Sequence, residues 1–348
     1  MSFFFEDYIP SFFFLLFYLL FYYAMFKTAE SVSPGHPDKM CDQISDAFLD
    51  ACLAEDPLSR VAIEVMGGHG IVSITGELTT NAYVDPQPIV KRICGEGVGV
   101  MANIVKQSPE IAQGVDTGGA GDQGIMVGYA TRETPTYMPL EYELARRLNQ
   151  YLHTLHPNDG KTQITLDGGQ LVAVVASWCG TPGHKLEKEV HEFLKHEELL
   201  KNIDISLAKF HINPAGDWNI GGFTADTGLT GRKLAVDNYG PAIPLGGGAF
   251  SGKDPTKVDR SGAYKAREIA VKLLEEKGAD EVLVQIAYAI GYRHPVAAVA
   301  WIDGKAENLD ILRDDLTPQG IITSLDLCRP IYEETARYGH FGRGYKWG

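Results

Sequence analysis

Three times along this 348-residue chain a helical pattern is followed by a strand, a tight turn, a second strand and another helical pattern. In the first unit Met40, Ile44, Ala47, Phe48 and Ala51 recur at helical spacing with Asp38 near the N-terminal turn, which predicts a helix from about residue 38. Val61 to Val65, the turn Gly67-Gly68-His69-Gly70 and Ile71 to Leu78 predict a β-hairpin, and Pro86 and Pro88 open a second helix. The second unit places Leu140, Leu144, Leu148, Leu152 and Leu155 on one helical stripe. Strands at 162–166 and 171–178 follow around Asp167-Gly168-Gly169, then a helical pattern over 185–200. The third unit predicts a helix over 261–277, paired strands over 282–290 and 296–302, and a helical stretch after Pro318. This order predicts an α/β protein of the α+β type, built from three similar domains, each a sheet covered on one face by helices. The domains are expected over 26–110, 119–216 and 217–348; sequence identity between the units is slight, so the repeat is one of architecture.

The balance of 45% hydrophobic and 22% charged residues is that of an ordinary globular protein. A net charge of -14 argues against a nucleic-acid binder, whose backbone contacts need a dominant basic surface, so any polyphosphate must meet local lysines and arginines. The five cysteines, Cys41, Cys52, Cys94, Cys179 and Cys328, are scattered and never form a C-x-x-C pair, which fits a reducing, cytoplasmic setting without a zinc site.

The exception is the N-terminus, where 12–26 carries no charge and is crowded with Phe, Leu and Tyr. Residues 8–26 approach the roughly 20 apolar residues of a spanning helix only by including Pro10 and Ser11. Glu6 and Asp7 stand where a secretory signal needs a basic region. Met25 immediately precedes the enzyme-like sequence, so residues 1–25 read first as an upstream start wrongly included; a membrane anchor, with membrane association, is the alternative.

Glycine-rich segments at 114–124, 216–231 and 246–252 let backbone approach a ligand closely and mark where to look for a site. Gly35-His36-Pro37-Asp38-Lys39 sets an imidazole, a carboxylate and an ammonium at a helix start, where backbone N–H groups favour an anion and Asp38 can hold magnesium. A capped helix start with a surface lysine is the plainer explanation of the same five residues. The segment Gly246 to Asp254 nearly matches a phosphate loop, but Asp254 stands where the magnesium-binding hydroxyl belongs, so it is not a Walker motif. Lys253, Lys257 and Arg260 alternate there with Asp254 and Asp259, a mixture suited to a metal-bound polyphosphate and found equally in solvated loops. Gly228 to Lys233 adds Arg232 and Lys233 after Asp226, and Asp159-Gly160-Lys161 adds a cation on a tight turn.

Taken in order with Gly119-Ala120-Gly121-Asp122-Gln123-Gly124 and Tyr338-Gly339-His340-Phe341-Gly342-Arg343, these segments resemble the signatures of the S-adenosylmethionine synthetases over residues 26 to 345. The resemblance implies that family's three-domain fold with approximate threefold symmetry. It also implies a homodimer or dimer of dimers with active sites at the subunit interface, and synthesis of S-adenosylmethionine from ATP and L-methionine. His36 matches the histidine that assists departure of the triphosphate; Asp38 and Asp259 match magnesium ligands, two ions per site, and Glu64 a potassium ligand. Glu77, Gln107, Asp226 and Lys257 match residues around methionine, and Asp226 also touches the nucleotide. Lys161, Arg232, Lys233 and Lys253 match the cations around the phosphates, Asp159 and Ala249 line the nucleotide site, and Trp218 occupies the position of an aromatic residue stacked on adenine.

The implied chemistry needs no general base, because a thioether sulfur is already nucleophilic; alignment at the ribose C5′ and stabilisation of the leaving triphosphate carry the step. The triphosphate is then cleaved to pyrophosphate and phosphate. The chain is shorter than many relatives between Val84 and Lys106 and around Asp116 to Gly119, where the family has a gating loop, which bears directly on the Gln107 assignment. Three other readings compete. A silent regulatory homologue would be free to lose His36, Asp38, Lys161, Arg232, Lys253 or Asp259, yet all are present; a kinase lacks its motif here; a membrane-tethered interaction protein rests on residues 1–26 alone.

Overall fold

The computed structural model describes residues 26–107, 118–310 and 315–348; the N-terminal Phe-rich segment, Gly114 and the abbreviated stretch at Asp116 lie outside them. Twelve strands and seven α-helices among the described residues form three four-stranded sheets, each with a long helix on one face. Two of the sheets are mixed and the third is wholly antiparallel; sheets backed by helices are the expected solution for elements that must each bury one apolar face.

The first sheet has the order β4-β3-β2-β9, from β2 (Arg60–Gly68), β3 (Ile71–Thr79), β4 (Gly99–Val105) and β9 (Gly228–Leu229). The second is β1-β6-β7-β8, from β1 (Lys27–Val32), β6 (Gly160–Asp167), β7 (Gln170–Trp178) and β8 (Lys209–Ile212). The third is β12-β11-β10-β5, from β5 (Gly124–Thr131), β10 (Glu281–Tyr288), β11 (Ala297–Ile302) and β12 (Lys305–Asn308). Helix α1 (Pro37–Glu55) packs on β2 and β9, α3 (Leu140–Leu155) on β1 and β6, and α6 (Val258–Lys277) on β5 and β10.

Local chemistry accounts for these elements. Helix α1 begins with His36 as cap and Pro37 in its first turn, α2 (Pro86–Cys94) with Asp85 and Pro86, and α7 (Pro318–Leu325) with Thr317 and Pro318, so each pairs a side-chain acceptor with a residue lacking an N–H. The β2–β3 and β6–β7 hairpins close on two-residue turns, His69-Gly70 and Gly168-Gly169, with positive φ at both positions, the geometry that matches strand twist. The parallel pairs β3–β4 and β7–β8 require crossovers, supplied by α2 and by α4 (Gly183–His196).

Each sheet contains one strand from a different third of the chain. β1 pairs antiparallel with β6 from Lys27↔Leu166 to Val32↔Lys161, β5 with β10 from Thr131↔Glu281 to Gly124↔Tyr288, and β9 with β2 at Met66↔Leu229. The donation is cyclic: first segment to second sheet, second to third, third to first. One apolar core accordingly runs through the first and third sheets, while Leu144, Leu148, Ile164, Val174, Trp178 and Leu186 anchor a separate core in the second.

The expected helices and hairpins appear with small shifts. α6 starts at Val258 rather than Ser261, because the chain already turns helical after Lys257; β10 ends at Tyr288, and the helix expected over 185–200 runs over 183–196 with a short 3-10 turn after it. No helix among the described residues is long and apolar enough to cross a membrane.

Candidate active site

The site is assembled where four loops meet the N-terminus of α1. The backbone N–H of Asp38 donates to His36 Nδ1 at 3.2 Å, which caps the helix and leaves the imidazole proton on Nε2. Burial and the nearby Lys233 ammonium push the His36 pKa down to about 4, so the ring is neutral at physiological pH. A neutral ring with a fixed tautomer is a hydrogen-bond donor through Nε2–H.

Asp38 lies in the first turn of the helix and is 1% exposed. Its Oδ1 accepts the Leu229 N–H at 3.0 Å and Arg232 Nε at 2.9 Å, and its Oδ2 accepts Lys233 Nζ at 2.6 Å. Burial opposes ionisation, but these three donors together hold the carboxyl below its ordinary range. β9 delivers the arginine and lysine, because its pairing with β2 fixes where the next four residues run.

A second loop arrives through β1 and β6. The Ser33 N–H and hydroxyl bind the carbonyls of Gly160 and Asn158, both at 2.8 Å, which seats Asp159-Gly160-Lys161 beside the Pro34 to His36 turn. Lys161 Nζ meets Glu30 Oε2 at 3.1 Å and adds to the positive potential on His36. Asp159, its pKa raised by burial, accepts the Gly222 N–H at 2.9 Å. The Trp218 carbonyl accepts the Gly180 N–H at 2.8 Å, tying that tryptophan's backbone to the same neighbourhood.

The glycine-rich loop before α6 docks on β2. Ile63 N–H donates to the Gly252 carbonyl and Asp254 N–H to the Val61 carbonyl, each at 3.0 Å, and Val61 N–H returns to Asp254 Oδ2 at 2.7 Å. Asp254 is therefore a buried loop anchor, which explains why a carboxylate stands at the hydroxyl position of the near-match to a phosphate loop. This docking brings Lys253 Nζ to 2.5 Å from Asp259 Oδ2 and into the field of Glu64, whose pKa desolvation raises against the pull of that lysine. Ala249 lies against Gly231, where an added Cβ would come within 2.6 Å of the alanine methyl.

His36, Asp38, Lys161, Arg232 and Lys233 thus share one locus, with Lys253, Asp259, Glu64 and Ala249 adjoining it. Other assigned residues stand further out. Glu77 lies on the same outward face of the first sheet as Glu64, one pairing along, and Gln107 follows β4 two residues after Val105, the partner of Glu77. Asp226 accepts the Thr227 N–H at 2.7 Å in an exposed turn, and Lys257 Nζ is bound to Asp254. Among the described residues no three His, Cys, Asp or Glu side chains cluster as a ready-made metal site. Single hard carboxylates such as Asp38 and Asp259 suit magnesium, which keeps waters and completes its shell with substrate phosphates. Glu30, Asp42 and Asp46, which also hold this locus together, belong to no glycine-cation motif; their signal was pairing register and i, i+4 spacing.

Models of the N-terminal, central and C-terminal domains of S-adenosylmethionine synthetase match residues 24–109, 117–218 and 220–348 in turn. The chain is 45% identical to an S-adenosylmethionine synthase of Nitratiruptor sp., covering 91% of this chain and 92% of that protein. It is 43% identical to one of Brachyspira hyodysenteriae (91% and 93% covered) and 44% identical to one of Sulfurovum sp. (92% and 94%). The chain belongs to the S-adenosylmethionine synthetase family. Its three family domains follow one another without large gaps, and the second junction, at 218–220, falls between β8 and β9. Arg232, Lys233 and Lys253 follow glycine turns, whereas Lys161, expected on a tight turn, stands in β6 opposite Val32, and each of the four is paired with a carboxylate, Asp38, Asp259 or Glu30.

Proposed function

We propose that this chain is a methionine adenosyltransferase that makes S-adenosylmethionine from ATP, L-methionine and water, releasing phosphate and pyrophosphate, at the site around His36. The observation that carries the reading is the convergence of Lys161, Arg232 and Lys233 from two separate loops on His36 and Asp38, with Lys253 on the adjoining glycine-rich loop, in a chain of net charge -14. So many cations gathered against the sign of the whole molecule suit a highly charged anion.

The methionine sulfur attacks the ribose C5′ and the C5′–O bond to the triphosphate breaks, so negative charge grows on the departing oxygen. His36 Nε2–H donates a hydrogen bond to that oxygen, and the four cations stabilise the released triphosphate and its later hydrolysis. Magnesium, two ions per site held by Asp38 and Asp259, would supply further charge neutralisation, and potassium beside Glu64 would balance that desolvated carboxylate. Lys233 and Arg232 turn from Asp38 to phosphate oxygens, and Lys253 does the same from Asp259. Asp159, Trp218, Ala249 and Asp226 line the nucleotide, while Glu77, Gln107, Asp226 and Lys257 surround methionine.

A homodimer or dimer of dimers completes the site. Rows Leu229–Met66–Ser73–Met101, Glu64–Thr75–Asn103 and Ala62–Glu77–Val105 lie on the face of the first sheet opposite α1, and Met66, Met101 and Val105 are 46%, 59% and 54% exposed there. A face that exposes Leu229, Met66, Met101 and Val105 on either side of a polar row, and carries two site carboxylates, suits a second copy. The chain divides for this purpose at 26–110, 119–216 and 217–348. All five cysteines are free and buried or half-buried, in keeping with a cytoplasmic enzyme.

Incubating the purified chain with ATP, L-methionine, magnesium and potassium should yield S-adenosylmethionine, phosphate and pyrophosphate in equal amounts. Phosphates without S-adenosylmethionine would reassign it as a triphosphatase, and a folded, ATP-binding but inert chain would be a silent homologue.

A further inference from the structure

Carboxylates recur every fourth residue along α1, at Asp38, Asp42, Asp46 and Asp50, and tie down three stretches of the last third of the chain: Asp38 and Asp42 hold 229–233, Asp46 holds Gly252, and Asp50 holds Tyr332 and Glu333. The middle two repeat one arrangement. Asp42 Oδ1 accepts the backbone N–H of Gly231 at 2.9 Å, and Asp46 Oδ1 accepts that of Gly252 at 2.9 Å. Each glycine has a positive φ, 76° and 81°, and each directly precedes a cation of the site, Arg232 or Lys253. Both aspartates are fully buried, so neither belongs to a solvated helix face.

The carboxylates are themselves braced from behind. Lys39 Nζ lies 3.0 Å from Asp42 and 2.6 Å from Asp237, and Arg260 grips Asp46 with both terminal nitrogens, at 2.6 and 2.8 Å. A buried hydrogen bond from a backbone amide to a charged acceptor is strong, and it fixes the peptide plane at which the following residue leaves the turn. Two loops of unrelated sequence are thus held by the same construction, an aspartate of α1, a left-handed glycine and a cation.

We infer that Asp42 and Asp46 are positioning residues, which aim Arg232 and Lys253 at the triphosphate by clamping the glycine before each. The inference rests on the phosphate role proposed for those two cations. Neither aspartate touches substrate; each acts through the cation that follows its glycine.

The test is a double-mutant cycle on the full chain with ATP and L-methionine as substrates. Asp42→Ala should lower kcat about 10- to 100-fold, the scale of a 1 Å misplacement, with the KM for methionine within about twofold of the original. Asp42→Asn, which keeps an acceptor for the Gly231 N–H, should recover most of the loss. In an Arg232→Ala background, Asp42→Ala should cost nothing further, because its effect runs through that side chain. Equal losses in both backgrounds, or an Asp42→Asn as slow as Asp42→Ala, would overturn the inference. Should Asp42→Ala not fold, a fall beyond about tenfold in Asp42→Asn alone does the same. A fully active Arg232→Ala would instead overturn the phosphate role of Arg232, and with it the inference for Asp42, whereas a failure confined to the Asp42 variants leaves that role intact.

Discussion

Asp38 Oδ2 accepts Lys233 Nζ at 2.6 Å across 195 residues of chain, so an assigned metal ligand and an assigned phosphate cation neutralise each other. Arg232 sits on the other oxygen of the same carboxylate. The ion pairs hold the buried carboxylate between its two cations, and in the proposed mechanism substrate binding would exchange them for phosphate and metal.

That exchange makes Asp38 sensitive to conservative change. Asp38→Asn should raise the magnesium concentration for half-maximal activity by at least the roughly 10- to 100-fold that loss of even an outer-shell partner brings. A magnesium titration of initial rate checks it, and an unchanged midpoint would remove Asp38 from the metal site.

Lys253 is a transition-state residue in this mechanism. Lys253→Ala should lower kcat by about 10²- to 10³-fold, as loss of one preorganised donor does, while the KM for methionine changes far less. Steady-state kinetics at varied methionine distinguish this from a lysine that merely binds substrate.

Arg260 and Asp46 form a fully buried pair with two hydrogen bonds, and Arg260 also reaches the Phe250 carbonyl and Thr335 hydroxyl. Arg260→Ala leaves the Asp46 charge stranded and should cost about 3–5 kcal/mol of stability. Urea unfolding measures it; a loss below about 1 kcal/mol would mean the carboxylate finds water or a proton cheaply.

Asp50 provides a pH signature away from the chemistry. Burial pushes its pKa up to about 6, against the amides of Glu333 and Tyr332 that favour the anion. The folded value exceeds the unfolded one of 3.8, so the stability this group contributes is full below pH 4 and is lost as pH rises through 6. Relative to Asp50→Asn, the original chain should therefore lose up to about 3 kcal/mol between pH 4 and 7. Urea midpoints of both proteins at pH 4.5 and 7 test the sign; parallel behaviour would contradict it.

Met66→Arg and Met101→Glu place charges on the open face of the first sheet, opposite the packed side carrying Val61, Ile63, Val65, Val72 and Ile74. Both should yield well-folded single chains by sedimentation, with activity lost in step with dissociation. A dimer unaffected by either charge would move the subunit contact elsewhere.

Helix α1 and the two glycine-turn hairpins were legible because their signals are local: apolar period, cap, proline and left-handed turn lie within a few residues. β1, β5 and β9 were not, since each becomes a strand by pairing with a partner at least 129 residues away, and KTAESV has no apolar run to mark it. The site divides in the same way. Glycine turns beside cations drew attention to Lys161, Arg232, Lys233 and Lys253, whereas Asp42 and Asp46 have the spacing of an ordinary wet helix face. Only the burial of α1 on nearly every side shows that those carboxylates are interior. Glu30 is tied to Lys161 by a register that no local pattern encodes.

The cyclic loan of strands has a consequence for how the molecule comes into being. β2 waits for β9, and roughly 160 residues must be synthesised between them, on the order of ten seconds at cellular elongation rates. During that interval one border of the earliest sheet lies bare, open to pairing with any passing extended segment. No third of the chain can therefore mature on the ribosome by itself. A fragment cut at either family junction would lack a neighbour's ribbon, and the enzyme should be born in one late, concerted step.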